Sequence, residues 1–343
     1  MIIYPKPLRR GMTIGVTGPS GGVAARHHKR LDLALKNLKL RGFNIVEGEC
    51  LRSEHKHVSG PKQERANDLT RLWTDKNVDM IYPPWGGELL IEVLPLLDFD
   101  ELKKTPKWIM GYSDTSTLLI AITILTDIAT AHGTNLMDSI SSQNDPLTAG
   151  ALNYFTTPRG GSFTQKSSER WQKTWTDLET EPERGFDLTE RTTWKVLGKK
   201  HSLSFTGRLI GGCLDTLASL TGTKYGDVAA FSHRYKGDRI IIYLENCEQS
   251  PCSLSRIIWN FRMAGWFENA AGIVLGRSAG PNREKENQLT YNEALEQALG
   301  DLDIPVIYDA DIGHLPPQMT LINGALANVS YKDGHGAIAQ TLA

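Results

Sequence analysis

The sequence predicts an α/β protein: a mostly parallel sheet covered on both faces by helices, followed by a second domain of mixed strands and helices. Three observations predict it. Short apolar runs bounded by turn residues alternate with segments of helical periodicity as far as Ala131, a polar and charged stretch interrupts the pattern between Thr164 and Thr193, and the alternation resumes near Gly207. Strict β-α alternation is the signature of parallel strands connected by crossover helices.

Each element has its own reason. Thr13-Ile14-Gly15-Val16-Thr17 is apolar and stops at Gly18-Pro19-Ser20-Gly21-Gly22, as a buried parallel strand does. Leu31, Ala34, Leu35 and Leu38 recur at helical spacing until Gly42 ends the helix. Phe43 to Val46 is a second strand. Pro61 opens a helix with Ala66, Leu69 and Leu72 on one face. Val78 to Tyr82 is a third strand, cut off by Pro83-Pro84, and Glu88 to Leu97 is expected to be helical. Trp108-Ile109-Met110 is a fourth strand running into Gly111-Tyr112-Ser113, Thr115 to Thr126 an apolar helix, and Ile128 to Ala131 a fifth strand. The stretch from 164 to 193 carries Trp171 and Trp175 and reads as a linker or functional loop. Beyond it, Gly207–Gly212, Arg239–Leu244, Gly272–Gly276 and Val306–Tyr308 read as strands, Ser253–Gly265 and Tyr291–Leu299 as helices, and Gly324–Ala343 as paired strands.

Bulk properties narrow the function. The 343 residues suggest two domains at about 100–200 residues each. A net charge of −1 gives no electrostatic case for a nucleic acid polymer or a membrane surface; local clusters such as Arg26–Arg30 and Lys199-Lys200 read as solvated faces. The four cysteines (Cys50, Cys213, Cys247, Cys252) include no Cys-x-x-Cys pair and no zinc-like spacing. With no signal-peptide pattern at Met1–Pro7 and no long apolar segment, a cytoplasmic location is expected. Gly15-x-x-Gly18-x-x-Gly21-Gly22 is neither a dinucleotide fingerprint nor a P-loop, so no cofactor is expected, and no metal.

Ligands of such sheets bind beyond the carboxyl ends of the strands, where the Gly18–Gly22 loop, the Trp85-Gly86-Gly87 loop and the Ser113 turn all fall. Ser113 has two readings. It can cap the following helix, or it can be a nucleophile exposed at the sheet edge, beside N–H groups at the positive end of a helix dipole. Thr115 replaces the second glycine of Gly-x-Ser-x-Gly, so the α/β-hydrolase elbow is incomplete. A nucleophilic serine needs a base and an orienting acid. His314, after an apolar strand, is the best-placed base and His132 its rival; His27, His28, His55, His57 and His201 are expected at the surface. Glu245 closes the run Ile240–Leu244, so its carboxylate needs a partner, either an arginine or His314. Asp114 is an alternative acid, or lends its N–H to an oxyanion hole. Gly86-Gly87 is either a plain turn or a place where backbone closely approaches a ligand, with Gly87 N–H as the second oxyanion donor. Arg277 can grip a substrate carboxylate or pair with a structural acid.

Trp85-Gly86-Gly87, Gly111-Tyr112-Ser113-Asp114-Thr115-Ser116, Gly207-Arg208-Leu209-Ile210-Gly211-Gly212, Leu244-Glu245-Asn246 and Gly313-His314 occur in the order and rough spacing of the LD-carboxypeptidase family of serine peptidases, which the chain resembles over nearly its whole length. The insert resembles that of the microcin C self-immunity branch. The resemblance implies a Ser113–Glu245–His314 triad, an oxyanion hole at the Gly87 and Asp114 N–H groups, a flavodoxin-like N-terminal domain, a C-terminal α/β domain and a homodimer. Domains are expected at 1–163 and 195–343, with 164–194 as a tryptophan-bearing linker or active-site loop. It offers two activities: cleavage of the amide in a small peptide or a peptidyl- or aminoacyl-nucleotide, with an insert tryptophan (Trp171 or Trp175) on the base, or removal of a terminal D-amino acid from murein tetrapeptides. Gly86, Trp171, Trp175 and Arg277 are the expected substrate contacts. A non-catalytic small-molecule binding protein is the third expectation.

Overall fold

We describe a computed structural model of the chain over residues 1–140, 145–175, 177–282 and 287–343. The first half follows the predicted alternation. Strand β1 (Thr13–Val16) leads to α1 (His28–Leu40), which buries Leu31, Ala34, Leu35 and Leu38 along one face. The chain turns at Gly42, whose φ of +93° suits glycine, into β2 (Asn44–Glu47). Helix α2 (Lys62–Thr74) returns to β3 (Met80–Ile81). Helix α3 (Phe99–Lys104), capped by the Asp98 side chain, precedes β4 (Trp108–Gly111). Helix α4 (Thr115–Thr126) is buried on nearly every side and leads to β5 (Thr130–His132).

Two expectations need correction here. The helix expected over Glu88–Leu97 is a pair of 3₁₀ turns, Leu90–Glu92 and Leu94–Leu96; Pro95 has no N–H to donate and cannot sit inside an α-helix without loss. The Arg26–Arg30 cluster is not wholly a solvated face. Arg30 is buried, and donates from Nε to the Met137 carbonyl (2.8 Å) and from Nη1 to those of Pro182 (3.1 Å) and Arg184 (2.6 Å). A guanidinium with fixed carbonyl partners can be buried where a lysine would lack the geometry.

The second half comprises α5 (Pro146–Gly150), β6 (Ser162–Lys166), β7 (Arg170–Trp171), β8 (Glu190–Arg191), β9 (Lys195–Val196), β10 (Ser202–Cys213), α6 (Leu214–Leu217), α7 (Val228–Arg234), β11 (Ile240–Glu245), α8 (Pro251–Met263), β12 (Ala270–Gly276), α9 (Tyr291–Leu299), β13 (Val306–Ala310), β14 (Leu321–Asn323), β15 (Leu326–Lys332) and β16 (His335–Thr341). The stretch read as a linker thus holds short strands: β6 pairs with β16, and β7 with β8. Its polar residues hid them, because edge strands and small ribbons need not be apolar.

Two large sheets result. The first has the order β14-β5-β4-β3-β1-β2, parallel throughout except for β14. The second has the order β6-β16-β15-β10-β11-β12-β13-β9, with β10 to β13 parallel at its centre. The architecture is the expected one: a parallel sheet with helices, then a mixed α/β half. Strand β14, from the far end of the chain, completes the first sheet. Its Asn323 joins the two sheets, because Oδ1 accepts from Tyr243 Oη (2.7 Å) and Gly211 N (3.1 Å) while Nδ2 donates to Thr130 Oγ1 (3.2 Å). Among the described residues, no helix is long and apolar enough to cross a membrane.

Candidate active site

The carboxyl end of β4 delivers Ser113, that of β11 delivers Glu245, and the loop after β13 delivers His314. Ser113 follows the strand and precedes α4, with φ at +60°. A side chain other than glycine is strained there, so the turn must be fixed by its surroundings. Ser116 N donates to the Ser113 carbonyl (2.9 Å). The Asp114 carboxylate accepts from Ser20 Oγ (2.5 Å), Leu90 N (2.8 Å) and Thr117 Oγ1 (3.2 Å). It therefore ties the Gly18–Gly22 loop and the 3₁₀ segment to the turn, which leaves its side chain no role as the histidine's acid.

Glycine at 86 is a steric requirement. A Cβ there would stand 2.6 Å from Ser113 Cβ and 2.9 Å from both Ser113 Oγ and Asp114 N. Gly87 has φ of +149°, and a Cβ on it would run into Ser20 Oγ. Both loops interlock over the serine, since Gly21 N donates to the Gly86 carbonyl (3.1 Å) and Trp85 Nε1 to that of Gly22 (3.0 Å). Gly86 thus packs against Ser113 and the Asp114 N–H, and Gly87 lines the same cleft as Ser113.

His314 Nδ1 and Glu245 Oε2 are 2.8 Å apart. Glu245 is 1% exposed. Burial pushes its carboxyl pKa up, but the charge of His314 and the hydrogen bond to it outweigh burial and hold it below the usual value. Burial pushes His314 down, while the Glu245 charge and hydrogen bonds with Cys247 and Glu245 lift it well above 6.5. Of the two partners expected for Glu245, an arginine or His314, the structure pairs it with His314. Gly313, at φ +94°, makes room: a Cβ would meet Glu245 Oε2 at 2.5 Å. The Tyr112 ring packs edge-on against His314, centroids 4.9 Å apart.

The rival histidine is excluded by position. His132 is fully buried between Tyr112 and Tyr243, neither ring nitrogen has a partner, and burial lowers its pKa to about 4.

Ser113 and His314 line one cleft of about 340 Å³ with Gly86, Gly87, Tyr112 and Asn135, walled by Arg26, Glu54, His57 and Trp85. They share the cleft without a hydrogen bond between them, as is common before substrate arrives. Trp171, Trp175 and Arg277 do not line it. Arg277 is buried and pairs with Asp311 (2.9 Å), and it also donates to the carbonyls of Leu315 (3.0 Å) and Pro317 (2.9 Å). Of its two expected roles it fills the structural one, bracing the loop that carries His314. Trp171 lies against that guanidinium, 5.5 Å from ring centre to Cζ. Trp175 is 46% exposed, with its ring edge-on to Phe186.

Sequence reasoning missed several lining groups. Asn135 accepts from Tyr112 N (3.2 Å) and so fixes the turn; it follows the Ala131-His132-Gly133-Thr134 strand end, a position that could have flagged it. Arg26, Glu54 and His57 carried no such signal, being polar residues of loops.

A serine set between strand and helix, a histidine–carboxylate pair and a water-accessible cleft define a serine hydrolase class of site. Residues 14–133 match the LD-carboxypeptidase N-terminal domain and 206–329 the LD-carboxypeptidase C-terminal domain. The chain belongs to the LD-carboxypeptidase family of serine peptidases and is a serine-type carboxypeptidase. It is 30% identical to a Vibrio cholerae protein bearing a carboxypeptidase name (97% of this chain, 96% of that one). It is 28% identical to a protein of Bacillus subtilis named as a murein peptide carboxypeptidase (94% and 90%). It is 25% identical to the microcin C7 self-immunity protein of Escherichia coli (97% and 95%). A solved structure of that immunity protein superposes with a TM-score of 0.82 over 97% of both chains, at 25% identity.

Proposed function

We propose that the chain hydrolyses an amide bond of a small peptide, or of a peptidyl- or aminoacyl-nucleotide conjugate, through an acyl-enzyme on Ser113. The observation that carries this reading is the 2.8 Å pair of His314 Nδ1 and Glu245, whose imidazole lines the cleft that Ser113 lines. Glu245 engages Nδ1, so Nε2 is the nitrogen that takes the Ser113 proton. Ser113 Oγ then attacks the carbonyl carbon, and the oxyanion gathers hydrogen bonds from the N–H groups of Gly87 and Asp114. Collapse expels the amine, protonated by His314. Water, deprotonated by the same imidazole, releases the acyl group. Support for the nucleotide conjugate comes from the immunity protein, of which one solved structure holds aspartyl sulfamoyl adenosine.

A second substrate reading, the murein tetrapeptide, draws on a different observation. Arg26 stands at the cleft wall beside Glu54 (3.5 Å), where its guanidinium suits the free carboxylate of a terminal amino acid, and neither insert tryptophan lines the cleft. Both readings go with a cytoplasmic homodimer divided at 1–163, 164–194 and 195–343, on the family likeness.

Assays with an LD-tetrapeptide beside an aminoacyl-sulfamoyl adenylate separate the two substrates. Ser113→Ala should lower kcat on the true substrate by roughly 10³-fold or more while leaving its binding measurable. Full activity in that variant would remove Ser113 as nucleophile.

A further inference from the structure

We propose that the ends of β10 and β11 form a site for a thiophilic divalent cation such as Zn²⁺, held by Cys213 Sγ, a Glu245 carboxylate oxygen and a His314 ring nitrogen, and that its occupancy stops hydrolysis. Among the described residues these three form the one group of His, Cys, Asp and Glu side chains whose ligand atoms all lie within 4.8 Å of one another. Strand register creates it: parallel pairing sets Cys213 directly beside Glu245. Cys213 is 1% exposed and its N–H is fixed by Ser116 Oγ (3.0 Å). The proposed hydrolysis makes no use of this thiol.

The donor set suits the ion. One thiolate and one carboxylate balance a double positive charge, and a sulfur–nitrogen–oxygen set selects Zn²⁺ over Mg²⁺ or Ca²⁺. Ligands around tetrahedral zinc stand roughly 3–4 Å apart, so closing the group needs shifts of about 1 Å. Glu245 Oε1 has no well-formed hydrogen bond to lose, although the Cys213 thiol lies against the carboxylate. His314 keeps 14% of its side chain exposed, which gives a route in from the cleft. The fourth position falls to water or to Cys247, whose thiol is within hydrogen-bonding reach of His314. As the S–Zn bond forms, the Cys213 thiol gives its proton to solvent, and an imidazolium at His314 likewise releases the proton of the ring nitrogen that binds. Glu245 and the imidazole are then both committed to the metal, and the base for Ser113 is lost; this inhibitory half rests on the triad proposed above, while the site itself does not.

Cobalt reports the site without turnover. Co²⁺ added to the metal-free, full-length protein should give a thiolate-to-metal absorption band at one equivalent, which Zn²⁺ bleaches and Mg²⁺ does not. Zn²⁺ should abolish hydrolysis over the same concentration range. Cys213→Ala should lose the band and need roughly tenfold more Zn²⁺ or more for half-inhibition; Cys213→Ser, which keeps a polar atom, serves if the alanine variant folds poorly. Cys252→Ser, lacking only an exposed thiol, should match the parent. No band in the parent, or the same band and inhibition in both Cys213 variants, overturns the site. A Cys213-dependent band in a protein whose hydrolysis survives Ser113→Ala would sustain the site and sink the triad.

Discussion

At residue scale, Ser113 holds a backbone conformation that costs about 1–3 kcal/mol, and three hydrogen bonds to Asp114 secure it. Strain at one residue is thus offset by neighbours that do no chemistry. On the proposed mechanism, the His314–Glu245 pair sets the pH dependence. His314 must be neutral to accept a proton, and its pKa stands well above 6.5 because burial, which opposes charge, is outweighed by Glu245 and Cys247. Below that pKa the imidazolium cannot act as base, so kcat/KM should rise with pH along a limb centred above 6.5. A limb at or below 6.5 in the parent enzyme would contradict the coupling. Glu245→Gln removes the charge that raises the imidazole. It should lower kcat by roughly 10³–10⁴-fold and move the limb to lower pH, both read from pH–rate profiles.

At the scale of elements, the site depends on how strand ends are braced. Arg277, just past β12, ties Asp311 to the Leu315 and Pro317 carbonyls on either side of the His314 loop. The pair is buried on both sides, at 4% and 0% side-chain exposure. Arg277→Met should cost about 3–5 kcal/mol in urea denaturation, because the buried Asp311 loses its cation and keeps only the hydrogen bonds from Ser168 and Trp194. Replacing a substrate clamp would instead raise KM and spare stability. This also marks how far the sequence could be read. Apolar runs between turn residues revealed β1, β4 and β11, and the residues at their ends, Ser113 and Glu245, were legible because strand ends are where buried chain meets solvent. The role of Arg277 was not legible, because an arginine after a strand looks the same whether its acid lies on a substrate or on the next loop. Arg26 and His57 read as surface residues for another reason: exposed loop residues carry no periodicity, and only tertiary folding brings them to the cleft that Ser113 lines. The 3₁₀ turns at Leu90–Leu96 went astray on Pro95, whose missing N–H outweighs the apolar spacing around it.

At the scale of the whole molecule, β14 sits in the first sheet while its neighbours in sequence, β13 and β15, belong to the second. Asn323 bonds to Thr130 on one side and to Gly211 and Tyr243 on the other. The two halves should therefore unfold together, with far-ultraviolet circular dichroism and tryptophan fluorescence giving coincident transitions in urea. Two separated transitions would show that β14 does not couple them. The same strand bears on how the protein is made. β5 ends at His132 and its partner ends at Asn323, so about 190 residues must follow β5 out of the ribosome before that edge is covered. At roughly 5–20 residues per second the wait is on the order of 10–40 s. For that interval the nascent chain carries an open strand edge next to the Ser113 turn, and the first sheet is complete only once β14 has emerged.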